Sequence, residues 1–396
     1  MNTLPTQQSA PPQPTDWRSI TALNATSTLA QVGQFGVPFI VLPVWLSQQG
    51  ATPGQLALYA AALWAGHLPG LAMAPQLCLR WGPRRVILAA LLCSLMALTL
   101  IALGAPAVQV GAGFLAGLGM GLRWIALEPW LYHIAPDHAR GRLVGFHETL
   151  IGLAPIVAPA LCGWWGVSGM VPFGLAAGFI VLAIVPLLVA RPDPLAYRAP
   201  EITGEVRARR RHEAVFIAGV GVALIGGMSE SAFAGLFPLY TEGRAMDVSQ
   251  TTTLLTLFGV GGVALQYPLS WLADHRGLRV AAYACAGGVI TSAALLSCSL
   301  PWWALQVAVF LLGGFITAYL TLALIASALT RAGSLASNAS ALSITYTASA
   351  VVGPLGAGAA IQRSGGDALM WSLCGVALLL VGWLLWLPAA KPRTDH

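Results

Sequence analysis

Charge is what this sequence is short of. Only 9% of its 396 residues are Asp, Glu, Lys or Arg, against 57% that are hydrophobic, where a soluble domain carries roughly 25% charged residues. So little charge excludes an ordinary water-soluble domain and points to a chain that lives in lipid. The sequence has no Walker A loop, no Gly-x-Ser-x-Gly and no His-Glu-x-x-His. An ATP-driven pump or an enzyme therefore has no motif to rest on, and a non-enzymatic role is expected. The six cysteines, Cys78, Cys93, Cys162, Cys285, Cys298 and Cys374, sit in or at the ends of apolar runs without metal-ligand spacing. They read as small apolar filler, so no metal, cofactor or disulfide is expected. The first sixteen residues lack a basic stretch followed by a short apolar core; no cleaved signal is expected there, and the first apolar run serves as the insertion signal.

What is present is a series of apolar runs. Between about Ser19 and Pro388 there are twelve, centred near Gly33, Trp64, Ser94, Gly121, Pro155, Phe179, Gly227, Gly261, Gly288, Phe315, Val352 and Val376. Each is long enough to cross a bilayer. Backbone groups in lipid must bond within their own segment, so the expectation is an all-α membrane protein. Of the 20 Lys and Arg residues, 17 fall on one side if the amino terminus is cytoplasmic; Arg244 and Arg363 fall on the other, and Arg123 lies within a span. That bias predicts both termini in the cytoplasm of a bacterial inner membrane, and it assigns the net charge of +6 to lipid headgroups rather than nucleic acid. Trp45, Trp164, Trp165, Trp302 and Trp303 are expected as interfacial anchors.

The chain also repeats. Pro43 and Pro238, Gln55 and Gln250, Gly82 and Gly277, and Pro159 and Pro354 are each 195 residues apart at equivalent places in the span order. The predicted organisation is a disordered lead over 1–18, a six-helix bundle over 19–190, an Arg-rich cytoplasmic linker over 191–212, a second bundle over 213–388 and a tail over 389–396. Parallel six-span repeats are a transporter architecture with its site at the midplane.

Ala273–Arg279 (ADHRGLR) resembles the inner-loop signature of the major facilitator superfamily through Asp274, Gly277 and Arg279, with Ser270 where glycine is usual. The first-half copy keeps Arg80, Gly82 and Arg84 but has Leu79 in place of the acid. Pro136, Arg140, Gly141 and Gly145 resemble the turn after that family's fourth helix, and Ser349, Gly353, Pro354 and Gly358 its eleventh-helix motif. Trp124-x-x-x-Glu128 ahead of Arg140-Gly141-Arg142 resembles the YcaD-like branch. The resemblance implies a twelve-helix fold of two pseudo-symmetric bundles, alternating access, and a central cavity lined by helices 1, 4, 7 and 10. It also implies that Arg80, Gly82, Arg84, Asp274, Gly277, Arg279, Arg140, Arg142, Gly353 and Pro354 belong to gating elements.

Ionisable groups inside hydrocarbon cost at least ~2.5 to 3.5 kcal/mol each on insertion scales, which makes them functional candidates. Arg123 lies about 13 residues from Pro136, near mid-bilayer. It either binds an anionic solute, pairs with Glu230 of the seventh span, or serves a structural pair. Gln31, Gln34, Trp124, Tyr319 and Tyr346 are candidate cavity residues; Asn24 and Gln31 share a helical face, and His67 reads as a hydrogen-bonded core residue. Glu128, Glu148, His147 and Glu230 are proton-coupling candidates, because one buried cation cannot neutralise three carboxylates. Glu128 and Glu148 alternatively receive Arg140 or Arg142. The expected function is a monomeric, proton-coupled secondary transporter of a small organic solute, leaning to export of an amphiphilic compound. Transport of an organic anion, such as a carboxylate or siderophore held by Arg123, is the rival, and a membrane-embedded sensor is the alternative of another class.

Overall fold

The computed structural model describes residues 16–136, 139–191 and 213–387. His138, most of the Arg-rich linker, all but the end of the lead, and the tail lie outside them. Twelve helices among the described residues are long and apolar enough to span a membrane. They are α1 (Trp17–Gln48), α2 (Pro53–Trp81), α3 (Pro83–Leu103), α4 (Pro106–Ile134), α5 (Arg140–Trp165), α6 (Val171–Val189), α7 (Ala214–Gly243), α8 (Val248–Arg276), α9 (Leu278–Leu296), α10 (Trp302–Leu329), α11 (Leu335–Ser364) and α12 (Ala368–Trp386). Each predicted centre falls inside its helix. The first begins two residues earlier than predicted, because Asp16 caps it through the Ser19 amide at 3.1 Å.

The 195-residue repeat acquires a physical content. Thr52 and Asp247 each form a capping box with the glutamine three residues on, Gln55 and Gln250, at the starts of α2 and α8. Gly82 (φ 78°, ψ 152°) and Gly277 (φ 89°, ψ 155°) end those helices in a backbone region open essentially to glycine. Close packing repeats too. A methyl on Gly66 would lie 1.8 Å from the Phe114 carbonyl, and one on Gly261 1.8 Å from the Phe310 carbonyl. Small residues thus let α2 meet α4, and α8 meet α10, backbone against backbone.

α1 is the most enclosed span, with 89% of its most apolar window buried, against 28% for α5. It is also irregular: Val32–Val41 is a π-helical stretch containing Pro38, and the Leu42 amide bonds back to the Val37 carbonyl. Pro38 has no N–H for an ordinary α-helical bond, and the wider turn absorbs the fault.

The first six helices meet the last six where small side chains allow it. Gly358 of α11 abuts Ala57 of α2, Gly235 of α7 abuts Ala60, and Gly163 of α5 abuts Thr252 of α8. These approaches lie in the half of the molecule remote from the chain termini. At the terminal face the chain leaves Phe146, Glu148, Tyr267, Trp271 and Asp274 exposed. The halves are therefore closed at the far face and parted at the terminal one. Trp164, Trp165, Trp302 and Trp303 are exposed as expected of anchors, but Trp45 is not. It is buried edge-on to Phe173, with its indole N–H donating to the Gly169 carbonyl at 3.0 Å.

Candidate functional site

Polar residues on α1 recur at Asn24, Ser27, Gln31 and Gln34, a stripe along one face. Arg123 of α4 is 0% exposed and spends its guanidinium on that stripe. Its Nε donates to Gln34 Oε1 at 2.6 Å, Nη1 to Ser27 Oγ at 3.2 Å, and Nη2 to Gln31 Oε1. Gln34 passes the chain on, its amide donating to Ser94 Oγ of α3 at 2.6 Å. Among the described residues no carboxylate lies within hydrogen-bond reach of Arg123. Of the alternatives for Arg123, the pair with Glu230 is not formed in this structure: two neutral amides and a hydroxyl hold the cation, and Glu230 belongs to a separate cluster.

Nearer the terminal face, α1, α4 and α5 converge on His147, which is fully buried. Its Nδ1 lies 3.0 Å from Asn24 Oδ1, and its Nε2 lies 3.9 Å from Glu128 Oε1 without a hydrogen bond among the described residues. Glu148 is exposed and accepts the Tyr132 hydroxyl at 2.9 Å, while the Tyr132 ring stands edge-on to His147. Arg140 donates to the Ala135 carbonyl at 3.3 Å, and Arg142 is exposed. Trp124, on the same face of α4 as Glu128 and Tyr132, is half-buried and meets His67 edge-on. His67 in turn meets Trp64, and Trp64 meets Phe39.

In the second half, half-buried Glu230 accepts a hydrogen bond from the Tyr346 hydroxyl, which joins α7 to α11. The two helices approach closely: a methyl on Gly227 would strike the Tyr346 carbonyl. Tyr319 of α10 was expected to line the cavity. It is instead wholly buried, with its Cβ against Gly226 and its hydroxyl without a partner among the described residues.

The family model of the major facilitator superfamily matches residues 25–247 and 219–396. The chain belongs to that superfamily. An uncharacterized transporter of this type from Yersinia pestis (strain Pestoides F) is 25% identical over 358 residues, covering 87% of this chain and 90% of the relative. The transporter YcaD of Salmonella newport (strain SL254) is 25% identical over 362 residues with the same coverage. Among solved structures, the D323A mutant of the nucleoside transporter NupG superposes with a TM-score of 0.81. It is 10% identical and covers 92% of this chain and 98% of that one, a likeness of fold.

The superfamily's inner-loop motifs can now be placed. Arg84 donates to the Ala190 carbonyl and ties the start of α3 to the end of α6. Arg80 and Asp274 are exposed at the terminal face, as expected where the halves are parted, and Arg279 is half-buried. Gly353 and Pro354 are buried in α11, and a methyl on Gly353 would lie 2.2 Å from the Met228 carbonyl of α7.

One pair escaped sequence reasoning. At the closed face Ser47 of α1 donates to Glu242 of α7, and these residues are 195 apart. Repeat-equivalent positions can touch only near the axis relating the halves, so this bond marks the pseudo-twofold. The shared offset was the signal that could have found it.

Proposed function

We propose that this superfamily member is a proton-coupled exporter of a small amphiphilic, cationic solute, working by alternating access in a bacterial inner membrane. The terminal face is its cytoplasmic side, as the arginine bias of the loops predicts. One contrast carries the reading: Glu230 is half-buried and accepts the Tyr346 hydroxyl, whereas Arg123 is sealed at 0% exposure by three α1 side chains. The mid-membrane charge within reach of a solute is thus an acid. A carboxylate that holds a solute cation cannot also hold a proton, so the two exchange at one site. An inward proton falls through ~2.3 kcal/mol per 100 mV of membrane potential, which can drive the solute outward. Half-buried Trp124 supplies apolar, aromatic surface for its other face, backed by the buried rings of His67, Trp64 and Phe39. Gln31 and Gln34 act through Arg123, holding α1 against α4.

The test is a thermal-shift screen of the detergent-purified chain against lipophilic cations, organic acids and siderophore-like chelates. A bound compound raises the unfolding temperature by mass action. Stabilisation by cations that is lost in Glu230→Gln is the expected result. Stabilisation by organic acids alone, lost in Arg123→Gln and kept in Glu230→Gln, would replace this reading with anion transport.

A further inference from the structure

The His147 environment fixes where one proton goes. The Asn24 amide nitrogen donates to the Ile20 carbonyl at 2.9 Å, which turns Asn24 Oδ1 toward His147 Nδ1 at 3.0 Å. An amide oxygen only accepts, so Nδ1 carries the hydrogen. The neutral ring then presents a bare Nε2, buried and without a hydrogen bond among the described residues, toward Glu128 Oε1 at 3.9 Å. Two bases facing each other in a low-dielectric site repel when empty. One proton between them turns the pair into an attraction, and a second abolishes it.

We propose that His147 and Glu128 form a one-proton site at the cytoplasmic mouth, and that Asn24 is its positioning residue because it dictates that Nε2 receives the proton. Every element around the ring takes part. From α4, Glu128 faces Nε2, Tyr132 stands edge-on at 5.9 Å between centroids, and Arg123 acts on Glu128 through its field. From α5 itself, Glu148 is exposed, held by Tyr132, and within electrostatic reach of both Glu128 and His147. From α1 comes the neutral Asn24. Glu148 is thereby the group that meets water, and Glu128 the one that hands a proton to the buried ring. Nothing is oxidised or cleaved: a proton leaves one base and joins the next. Asn24 shares its stripe with the anchors of Arg123, so the site is tied to the same helix that meets α7 at the opposite face.

This inference rests on the proton-coupled reading, and nitrogen-15 NMR of the full chain in nanodiscs, with labelled histidine, tests it without a solute. The His147 signals are assigned by their loss in His147→Gln, or, if that variant aggregates, by their persistence when each other histidine is replaced. The unmodified chain is expected to show the Nδ1–H tautomer, with Nε2 gaining a proton on acidification. Asn24→Ala should shift the ring to the Nε2–H tautomer. Glu128→Gln, which replaces the anion facing Nε2, should change the Nε2 resonance and leave the Nδ1–H tautomer in place. Glu230→Gln should change neither. A ring already Nε2–H in the unmodified chain, or an Nε2 resonance indifferent to Glu128→Gln, overturns the proposal. If the tautomer is as stated while solute binding ignores Glu230, the export reading fails and the proton site stands.

Discussion

A guanidinium with no anion in hydrogen-bond reach among the described residues, deep in a membrane, survives only if its hydrogen bonds are made. Arg123 makes three to side chains on α1. Arg123→Met would leave the oxygens of Gln31 and Gln34 buried and unpaired, at about 1–3 kcal/mol each. Tyr346→Phe removes a single donor from half-buried Glu230. Thermal unfolding in detergent should therefore show a larger fall in Tm for Arg123→Met than for Tyr346→Phe. Equal losses would mean that the α1 amides find other partners. Sequence spacing did reveal that Arg123, Glu128, His147, Glu148 and Glu230 lie on spanning helices, because hydropathy marks the spans. It did not reveal the partners. Which helix a side chain faces depends on how helices are rotated against one another, and the π stretch at Pro38 shifts that rotation for Gln34 and everything beyond it.

At the scale of helices, the turn glycines and the caps explain why the repeat was visible at all. Gln55 and Gln250 close capping boxes, and Gly82 and Gly277 adopt positive φ; these are local demands that a sequence displays directly. Gly82→Ala and Gly277→Ala should each cost about 1–3 kcal/mol in backbone strain. Denaturant or thermal unfolding of the two variants would show it, and the α2–α3 and α8–α9 turns should suffer alike. The start of α1 makes a prediction about pH. The Ser19 hydroxyl and amide both donate to Asp16, and they hold its carboxyl below the usual carboxylate range. A lowered folded-state value means this contribution is present at neutral pH and is lost as pH falls through that value. Hydrogen exchange in the first turn of α1 should accelerate on acidification. In Asp16→Asn, which still caps, that acid dependence should vanish.

For the whole molecule, the bond between Ser47 and Glu242 on the pseudo-twofold says which face is shut. With Gly358 against Ala57 and Gly235 against Ala60, the far face is sealed by small residues and one polar contact, while Asp274 and Glu148 stand exposed at the other. Cysteines at positions 47 and 242 should cross-link readily in membranes under a mild oxidant and hold that face closed; failure to cross-link would mean that this contact is not populated. The state was not legible beforehand, because hydropathy fixes which segments cross the bilayer and says nothing about how two bundles tilt; the shared 195-residue offset was the one sequence signal for the Ser47–Glu242 contact.

The role given to Glu230, a carboxylate that carries a proton when it carries no solute, can be read out without knowing the solute. An apolar carbodiimide reacts with protonated carboxyls within its reach, and mass spectrometry locates the adduct. The account predicts an adduct on Glu230 that declines as pH is raised and is suppressed by any cation that stabilises the chain in the thermal screen. A Glu230 that stays unlabelled at every pH, while Glu242, a solvent-exposed side chain at the closed face, is modified, would contradict it.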